Sequence, residues 1–566
     1  MKKKSAISLL LIFVVNVCAF AQLSTNEPPV SFDSKLKLKK TKRDVPTVTM
    51  PAIDMAKIRK EDEEDEKDGF PPRFGYPHKV NYNLGNSGAW TKLPDGSKLW
   101  RLNVVCPGAL SINLLYDKFW LPEGGKFFIY SKDRKHSIGA FTSKNNKGDS
   151  LNVKSFATGL VYGDDVLLEY YQPKEVTSDA VIAIDYVVQG YRYIKINEKS
   201  LGDSGSCQIN INCPEGLQWQ IEKKAVALIL VDGSRICTGS LINTTDLSQK
   251  PYFLTANHCL VYYEDAEGNN NLNYYSFYWN YEAPGCSNIS VEPTFYSTSG
   301  ATLLANNTAS DFALFRLTED PMTLSNFTPF YLGWDHSGGS GMPGVCIHHP
   351  KGDVKKISTV ASQPLSTQYK GYTVSENYTH WKVTWTSTQN GHGTTEGGSS
   401  GSPLLTSEHK VIGQLHGGKS YCDDLNAPDW YGKFNVSWTG NGNSSIHRRL
   451  NCWLDSISTG EQAIEGLLVV NSTDTINIDE ELYSNIRITN TGQLTIQSDV
   501  EMKGNSSVIV ESGGKIIIDG GYLSNVELVL KTGSTLQIIN GGVLESRDAF
   551  IAPQGATVTV TNGRII

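Results

Sequence analysis

Three short stretches of this 566-residue chain carry side chains that could act together as a nucleophile, its base and an orienting acid. Ser400 lies in the run Gly-Gly-Ser-Ser-Gly-Ser-Pro, which is typical of a tight turn that exposes a hydroxyl. His258 ends the upstream run Phe-Leu-Thr-Ala-Asn-His, and Asp311 opens an apolar strand between the two. A serine hydroxyl is a poor nucleophile without an adjacent base, and an aspartate can fix the tautomer of that base. The three residues, in this order, predict covalent catalysis through Ser400.

The glycine-rich turn also supplies hydrogen-bond donors. The backbone N–H groups of Gly398 and Ser400 are predicted to form an oxyanion hole, in which each donor lowers the barrier by about 3 kcal/mol. Taken singly, a serine between glycines is usually a turn residue, and a histidine beside a cysteine is usually structural. Their occurrence together and in order favours catalysis. The histidines that compete with His258 for the role of base are His348, His349, His392 and His416.

Composition and charge narrow the class of protein. The formal net charge is −7 and is spread thinly, which argues against a nucleic-acid partner. Lysines near the start, a short apolar run and an Ala-Phe-Ala site predict a cleaved signal peptide over residues 1–21, with an uncleaved membrane anchor as the alternative. No later apolar run is long enough to span a bilayer. The sequence therefore predicts a secreted protein without a membrane span.

The cysteines are consistent with export. Of the ten, eight lie between positions 207 and 452, in the same block as the three candidate catalytic residues. Export permits disulfide bonds. The chain has no Cys-x-x-Cys and no His-Glu-x-x-His pattern, so a zinc site is not predicted despite the adjacent histidines at 348 and 349. We expect neither a metal nor a cofactor.

A chain of this length should form about three domains. Residues 22–75 are polar and acidic, which predicts a disordered linker. Alternating apolar runs separated by glycine turns predict a β-rich domain over 76–199. Short strands with turn signals over 200–466 fit paired barrels or a sandwich. The fold class predicted for the whole chain is mainly β.

The C-terminal stretch, 467–566, lacks cysteines and carries a loose repeat. A glycine followed by a short β run recurs at Gly492, Gly514, Gly533 and Gly555. A period near twenty residues with one strand in each unit predicts a β-solenoid, in which each rung packs on the next. A small sandwich with similar hairpins is the alternative.

The central block resembles the lysyl endopeptidases, the bacterial Lys-C type branch of the chymotrypsin-fold serine proteases. The resemblance runs from about Gly202 to Leu467 and includes many blocks in the same order. These blocks include Cys-Thr-Gly-Ser-Leu at 237–241, Tyr-Trp-Asn-Tyr at 278–281, Ile-His-His-Pro at 347–350 and Gly-Gln-Leu-His-Gly-Gly at 413–418. The resemblance implies a double β-barrel protease domain and the catalytic order His258, Asp311, Ser400.

The resemblance also implies three disulfides, Cys207–Cys422, Cys213–Cys286 and Cys237–Cys259. The last of these would tie the strand before the histidine loop to that loop and hold the base in place. Cys346 and Cys452 are left over, and we expect them to form a fourth bridge.

The pocket that selects the substrate needs a buried carboxylate to bind a basic side chain. Trypsin-like enzymes carry it six residues before the nucleophile, where this chain has Thr394. The resemblance instead implies Asp429 on a later strand, with Asp423 and Asp424 as less favoured alternatives. It also implies that His416 lines the pocket wall and that an aromatic residue stacks on it, at about the position of Tyr372.

These features together predict a secreted serine endopeptidase that cleaves on the carboxyl side of lysine in protein or peptide substrates. One alternative is a protease that cuts after both lysine and arginine. Another is a surface adhesin whose solenoid is the working part. The solenoid could also support attachment to a surface or self-association.

The protease domain begins just after Lys199, which suggests self-processing with 22–199 as a removable propeptide. A retained binding module over 76–199 is the alternative. Ser399 stands where chymotrypsin-like zymogens carry an aspartate that captures a new N-terminal amine. Activation through that ion pair is therefore not expected here.

Overall fold

The computed structural model describes residues 27–33, 45–192, 204–260, 272–289, 291–324, 327–341, 344–360, 362–504 and 506–566. The predicted signal peptide and Lys199 lie outside these ranges. Within them, no helix has the length and apolar character needed to cross a bilayer.

Helices are short, apart from one near the N-terminus. The α-helices are Met55–Asp68, Phe434–Thr439 and Asn451–Leu454. Turns of 3-10 helix lie at Val30–Phe32, Ser143–Asn145, Pro214–Trp219, Glu222–Ala225, Asn257–Cys259, Leu272–Tyr274, Pro321–Thr323, Pro350–Gly352 and Ile446–Arg448.

The helix Met55–Asp68 corrects the prediction of a disordered linker over 22–75. Asp54 caps its start by accepting hydrogen bonds from the N–H groups of Ala56 and Lys57. Gly69, with φ +83°, ends it in the left-handed conformation that glycine adopts most easily. Acidic composition predicted disorder, but the cap signals and the contacts of this helix with the rest of the chain stabilise it.

Two sheets are formed by a short strand before this helix and by the strands between the helix and residue 192. Several of their strands are buried along most of their length, and the buried side chains, such as Trp100, Leu114 and Tyr170, form one core between the sheets. In the first sheet the strand order is Thr47–Thr49, Lys98–Val105, Asp165–Gln172, Lys126–Ser131 and Ser137–Phe141, with Ala89–Lys92 also paired to Lys98–Val105. In the second it is Gly75–Asn83, Val181–Gly190, Ser111–Trp120 and Phe156–Ala157, with Val161–Tyr162 also paired to Ser111–Trp120.

Two further sheets hold the candidate catalytic residues. One is antiparallel throughout, in the order Tyr296–Ser299, Ser276–Trp279, Val226–Val231, Arg235–Leu241, Tyr252–Ala256, Phe312–Leu317 and Ala301–Asn307. The other has the order Ile209–Asn210, Lys356–Thr359, Val345–His348, Pro403–Leu405, Lys410–Gly418, Asp429–Lys433, His380–Val383 and Leu365–Thr367. Gly333–Asp335 joins the second sheet beside Lys410–Gly418 and also pairs with Ala463–Ile464.

The C-terminal strands stack in parallel, one rung on the next. One face contains Thr473–Ile476, Gln493–Ile496, Lys515–Asp519, Thr535–Ile539 and Thr557–Thr561. The remaining strands belong to a nine-stranded sheet in the order Phe330–Tyr331, Gly466–Val470, Ser484–Ile488, Ser507–Val510, Tyr522–Leu530, Asp499–Met502 and Glu480–Leu482. Val543–Ser546 also pairs with Tyr522–Leu530, and Arg564–Ile565 pairs with Val543–Ser546.

Each rung buries alternate residues, such as Leu494 and Ile496, against their counterparts in neighbouring rungs. The fold class predicted from the sequence, mainly β with a β-solenoid at the C-terminus, is confirmed. The solenoid also continues the core of the central sheets, because Phe330–Tyr331 pairs with Gly466–Val470.

Candidate active site

The histidine and the aspartate are brought together by two neighbouring strands. Tyr252–Ala256 pairs with Phe312–Leu317, so His258, just after the first strand, meets Asp311, just before the second. The His258 Nδ1 lies 2.7 Å from Asp311 Oδ2, and the His258 backbone N–H donates to Asp311 Oδ1 at 3.0 Å. The Nδ1 contact orients the imidazole, and the backbone bond holds His258 to the same carboxylate.

Asp311 is 3% exposed and has φ +55°, a left-handed conformation that aspartate tolerates better than most residues. Burial alone would raise the pKa of its carboxyl. The neighbouring imidazoles of His258 and His416, with the hydrogen bonds from His258, outweigh burial and lower that pKa. Asp311 is therefore positioned to stay ionised and to stabilise an imidazolium at His258.

The turn that carries Ser400 is fixed by its glycines. Gly398 and Gly401 have φ of +95° and +83°, which side chains rarely adopt. A Cβ on Gly401 would also come within 2.2 Å of Thr255 Oγ1, on the strand that leads to His258. Thr238 holds the turn from the other side, since its N–H donates to the Ser400 carbonyl and its hydroxyl donates to the Gly398 carbonyl, both at 2.8 Å.

The backbone N–H groups of Gly398 and Ser400 have no hydrogen-bond acceptor among the residues that the structure describes. Buried N–H groups are seldom left unpaired in proteins. Donors held in a rigid turn beside a nucleophile can receive the oxygen of a tetrahedral intermediate.

Ser400 and His258 border the same cleft, which has a volume of about 660 Å³. In the described part of the chain no hydrogen bond joins the Ser400 hydroxyl to His258. Catalytic hydrogen bonds are often long before substrate binds and shorten in the complex. The cleft also has Thr395, His416 and Ser420 in its wall.

Behind Thr395 and Ser420 lies the carboxylate of Asp429, which is fully buried. Its Oδ2 accepts hydrogen bonds from the Thr395 hydroxyl at 2.7 Å, from Trp385 Nε1 at 2.6 Å and from the Ser420 hydroxyl at 2.5 Å. Its Oδ1 accepts from the Ser420 N–H at 3.1 Å. Burial raises the pKa of Asp429, and these hydrogen bonds only partly oppose the rise. The exposed alternatives, Asp423 and Asp424, lie on the surface.

The aromatic residue that stacks on His416 is Tyr369, not Tyr372 as predicted. The Tyr369 and His416 rings are parallel, with centroids 3.5 Å apart. Tyr372 is instead 58% exposed and meets the edge of Trp430. The predicted position was three residues too late, because the similarity to the family does not show how long the loop after Leu365–Thr367 is in this chain.

His416 also contacts a second histidine. Its Nδ1 lies 2.9 Å from His380 Nε2, and burial lowers the pKa of His416 to about 4 and that of His380 to about 3. Both rings are neutral at neutral pH. The wall they form with Tyr369 therefore places no positive charge beside Asp429.

Sequence reasoning also missed the support of the nucleophile turn by His348. The buried Ser399 hydroxyl lies 2.7 Å from His348 Nδ1, and His348 Nε2 lies 3.1 Å from the Ser358 hydroxyl. Burial lowers the pKa of His348 to about 3, so the ring is neutral. Ser399, the residue before the nucleophile, is thus hydrogen-bonded to a buried histidine. The adjacent His-His pair was the available signal, but its residue types indicate a competing base or a metal ligand rather than a support for the turn.

The structure contains the disulfides Cys207–Cys422, Cys213–Cys286 and Cys237–Cys259. The fourth bridge expected from the sequence is wrong, because Cys346 and Cys452 are free thiols. Cys346 is buried beside the Ser402 hydroxyl, whereas Cys452 is partly exposed.

Among the described residues, His258, Asp311 and His416 bring potential metal-ligand atoms within 4.8 Å of one another. The same atoms form the candidate catalytic centre. Cys237 and Cys259 also approach His258, but their sulfurs are joined in a disulfide and cannot act as thiolate ligands.

Comparisons with known proteins point to one family. Residues 201–432 match the family model described as "Lysyl endopeptidase, C-terminal domain". The lysyl endopeptidase of Pseudomonas aeruginosa is 28% identical over 359 residues, which cover 59% of this chain and 71% of that protein.

Similar solved structures include an inactive form of Rv3671c from M. tuberculosis, at 14% identity over 37% of this chain and 82% of that chain, with a TM-score of 0.23. Deg5 matches at 15% identity over 39% of this chain and 88% of that chain, with a TM-score of 0.25. Scores this low do not support a conclusion about fold, which here comes from the strands described above.

Proposed function

We propose that this chain, whose residues 201–432 match the lysyl endopeptidase family model, is a serine endopeptidase that cleaves peptide bonds on the carboxyl side of lysine. The observation that carries the proposal is the buried carboxylate of Asp429. It lies behind Thr395 and Ser420 in the wall of the cleft that Ser400 and His258 border. A buried negative charge attracts a cationic side chain that can replace its lost hydration.

The mechanism follows from the positions of the three side chains. Because His258 Nδ1 faces Asp311, Nε2 is the nitrogen that can take the proton of the Ser400 hydroxyl. Ser400 Oγ then attacks the carbonyl carbon, and the oxygen that becomes negative binds the N–H groups of Gly398 and Ser400. His258 returns the proton to the leaving amine, which gives an acyl-enzyme and a free amino terminus. Water, deprotonated by the same imidazole, releases the acid product and regenerates the serine.

The hydrogen bonds around Asp429 favour lysine over arginine. Arginine binds a carboxylate best through two parallel bonds, which use a free lone pair on each oxygen. Oδ2 of Asp429 already accepts from three protein donors. A compact ammonium group needs no second oxygen and can bind through the hydroxyls of Thr395 and Ser420 and the remaining lone pairs. The neutral His416–Tyr369 wall suits the apolar stem of the lysine.

Peptides that differ only in lysine or arginine at the scissile position test the specificity. We expect kcat/KM for the lysine peptide to exceed that for the arginine peptide by roughly 100-fold, because a substrate whose charge fits a buried partner poorly loses about this much in kcat/KM. Mapping every cut in a denatured standard protein checks the result on natural contexts. Ser400→Ala is the control for contaminating proteases. Equal rates on the two peptides would leave a serine protease but refute the lysine preference.

The proposal includes secretion and processing. Three disulfides within 207–422 support an oxidising compartment. We place a signal peptide at 1–21, a propeptide at 22–199, the protease domain at 200–466 and the solenoid domain at 467–566. In this scheme the solenoid attaches or targets the protease and takes no part in the chemistry.

A further inference from the structure

A peptide segment of the chain itself lies along the candidate active site. Residues 62–74, which we call the strap, comprise the second half of the helix Met55–Asp68 and the segment that leads from it to the strand Gly75–Asn83, and they border the cleft that contains Ser400 and His258. Pro72 packs on the nucleophile turn so closely that a Cβ on Gly397 would come within 2.8 Å of its ring.

The strap pairs with the start of the strand Arg235–Leu241, whose neighbour Tyr252–Ala256 pairs with it only at Ser240 and Leu241 and so leaves a local edge open. The Ile236 N–H donates to the Pro72 carbonyl at 3.1 Å, and the Phe74 N–H donates to the Ser234 carbonyl at 2.8 Å. Arg73 therefore stands directly opposite Arg235 in an antiparallel bridge. Addition of an extended peptide to an exposed sheet edge is a common mode of peptide recognition.

This edge lies immediately beside the catalytic groups. Ile236 precedes Cys237, whose disulfide partner Cys259 follows His258. The Ile236 side chain lies against Gly398, since a Cβ on Gly398 would come within 3.0 Å of it. A substrate bound in the same direction as the strap would place the residues after its scissile bond along 234–236.

Two arginines opposite each other on a sheet repel, so the strap must carry compensating charge. It does so with three acids of its helix. Asp65 binds Arg235, while Asp62 and Glu61 bind Arg73 at 2.9 and 3.0 Å. Arg235 also donates to the Pro71 carbonyl at 2.7 Å, which leaves its side chain only 11% exposed.

A substrate that replaces the strap brings no such helix. Arg235 then loses Asp65 and the Pro71 carbonyl, and the substrate residue in the place of Arg73 becomes its direct cross-strand neighbour. Opposite charges in such a pair stabilise each other, and like charges destabilise the pair. A carboxylate on the substrate is the group that restores the lost ion pair.

We propose that Arg235 forms a second specificity subsite, which selects an acidic residue shortly after the scissile bond of the substrate. This inference rests on the proposed lysine-cleaving function. It adds a second charged residue of the substrate, besides the lysine, that the enzyme recognises. In the unprocessed chain the same subsite is filled by the strap, so the precursor cannot bind an extended substrate there.

The test uses the purified, processed protein and a set of peptides with a single lysine. Aspartate is moved through the four positions after the lysine, with asparagine at the same position as the matched peptide. At one position we expect aspartate to raise kcat/KM about two- to fivefold over asparagine, the effect of a single cross-strand ion pair, mainly through a lower KM. Raising the ionic strength should shrink this difference.

Variants assign the preference to Arg235. Arg235→Gln should abolish it, Arg235→Lys should retain most of it, and Arg235→Glu should reverse it in favour of arginine at the same position. Arg316→Gln removes an exposed arginine from the strand Phe312–Leu317 of the same sheet, two strands away, and should leave the preference unchanged.

The possible failures are distinct. If no peptide is cut after lysine, the proposed function is refuted, and the subsite proposal is refuted as well because it depends on that function. If lysine peptides are cut but no position distinguishes aspartate from asparagine, the subsite alone is refuted. It is refuted equally if Arg235→Gln or Arg235→Glu shows the wild-type preference unchanged in size and sign, or if Arg316→Gln abolishes that preference.

Discussion

Asp429 is a buried carboxylate that has to be ionised before it can bind an ammonium group. Because burial raises its pKa, it takes up a proton at a higher pH than an exposed aspartate does. As the pH falls through this raised pKa, the pocket becomes neutral and lysine binds more weakly. A bound lysine has the opposite effect and lowers the pKa, since it stabilises the ionised form.

We therefore expect KM for lysine peptides to increase as the pH is lowered, from a higher pH than an ordinary aspartate would give. In Asp429→Asn, kcat/KM for lysine peptides should fall roughly 100-fold or more, because a buried charge partner is lost. KM of this variant should no longer depend on pH in the acidic range. KM measured separately from kcat between weakly acidic and neutral pH checks both points.

Asp423→Asn is the matched control, because it removes the same charge from an exposed position of the same loop region. It should behave as the unaltered protein. If KM of the unaltered protein stayed constant while kcat alone fell with pH, only the titration of the catalytic groups would be seen and Asp429 would not be the acid that binds lysine.

Among the secondary-structure elements, the pocket wall depends on the contact between the strand Lys410–Gly418 and the loop that follows Leu365–Thr367. His416 lies at an irregularity in the pairing of Lys410–Gly418 with Asp429–Lys433, between Leu415 and Gly417. Such bulges redirect a side chain and are frequent beside active sites. The loop that follows Leu365–Thr367 brings Tyr369 onto the redirected ring.

Tyr369→Ala should consequently lower kcat/KM for lysine peptides about tenfold, since loss of an aromatic contact of this kind is worth about 1 to 1.5 kcal/mol. Tyr372→Ala, at the exposed position three residues later, should change it less than twofold. Steady-state kinetics on one lysine peptide compares the two variants directly. A larger loss in Tyr372→Ala would restore the prediction made from the motif match.

The contrast between these tyrosines shows which residues of the site can be predicted from the sequence and which cannot. Residues inside short motifs, such as His258, Asp311 and Ser400, are placed by strand pairing and by glycine turns, both of which have local signals. Tyr369 belongs to a loop whose path depends on packing against His416 and has no such signal. The helix Met55–Asp68 was missed for a similar reason, because the partners of its acids, such as Arg235, lie far away in the chain.

On the scale of the whole molecule, the N-terminal sheets are held to the protease sheets without a covalent bond in the described ranges. The Leu160 N–H donates to the Tyr278 hydroxyl at 3.0 Å, and Asn113 Nδ2 donates to the Gly233 carbonyl at 3.1 Å. Phe74 lies in one apolar cluster with Leu228 and Leu230. The solenoid, in contrast, shares a continuous core with the protease sheets, as rungs that bury their apolar faces on a neighbour must do.

This difference predicts which part of the chain can leave. A cut after Lys199 would free a domain held by hydrogen bonds, ion pairs and a small apolar cluster. With the lysine specificity proposed above, the enzyme itself would make that cut. Ser400→Ala, produced in cells that lack other lysine-cutting proteases, should therefore accumulate as a chain that still contains residues 22–199. The unaltered protein should give a protease that begins after residue 199, and mass spectrometry of both products decides between them. Normal maturation of Ser400→Ala would show instead that a separate enzyme removes the N-terminal domain.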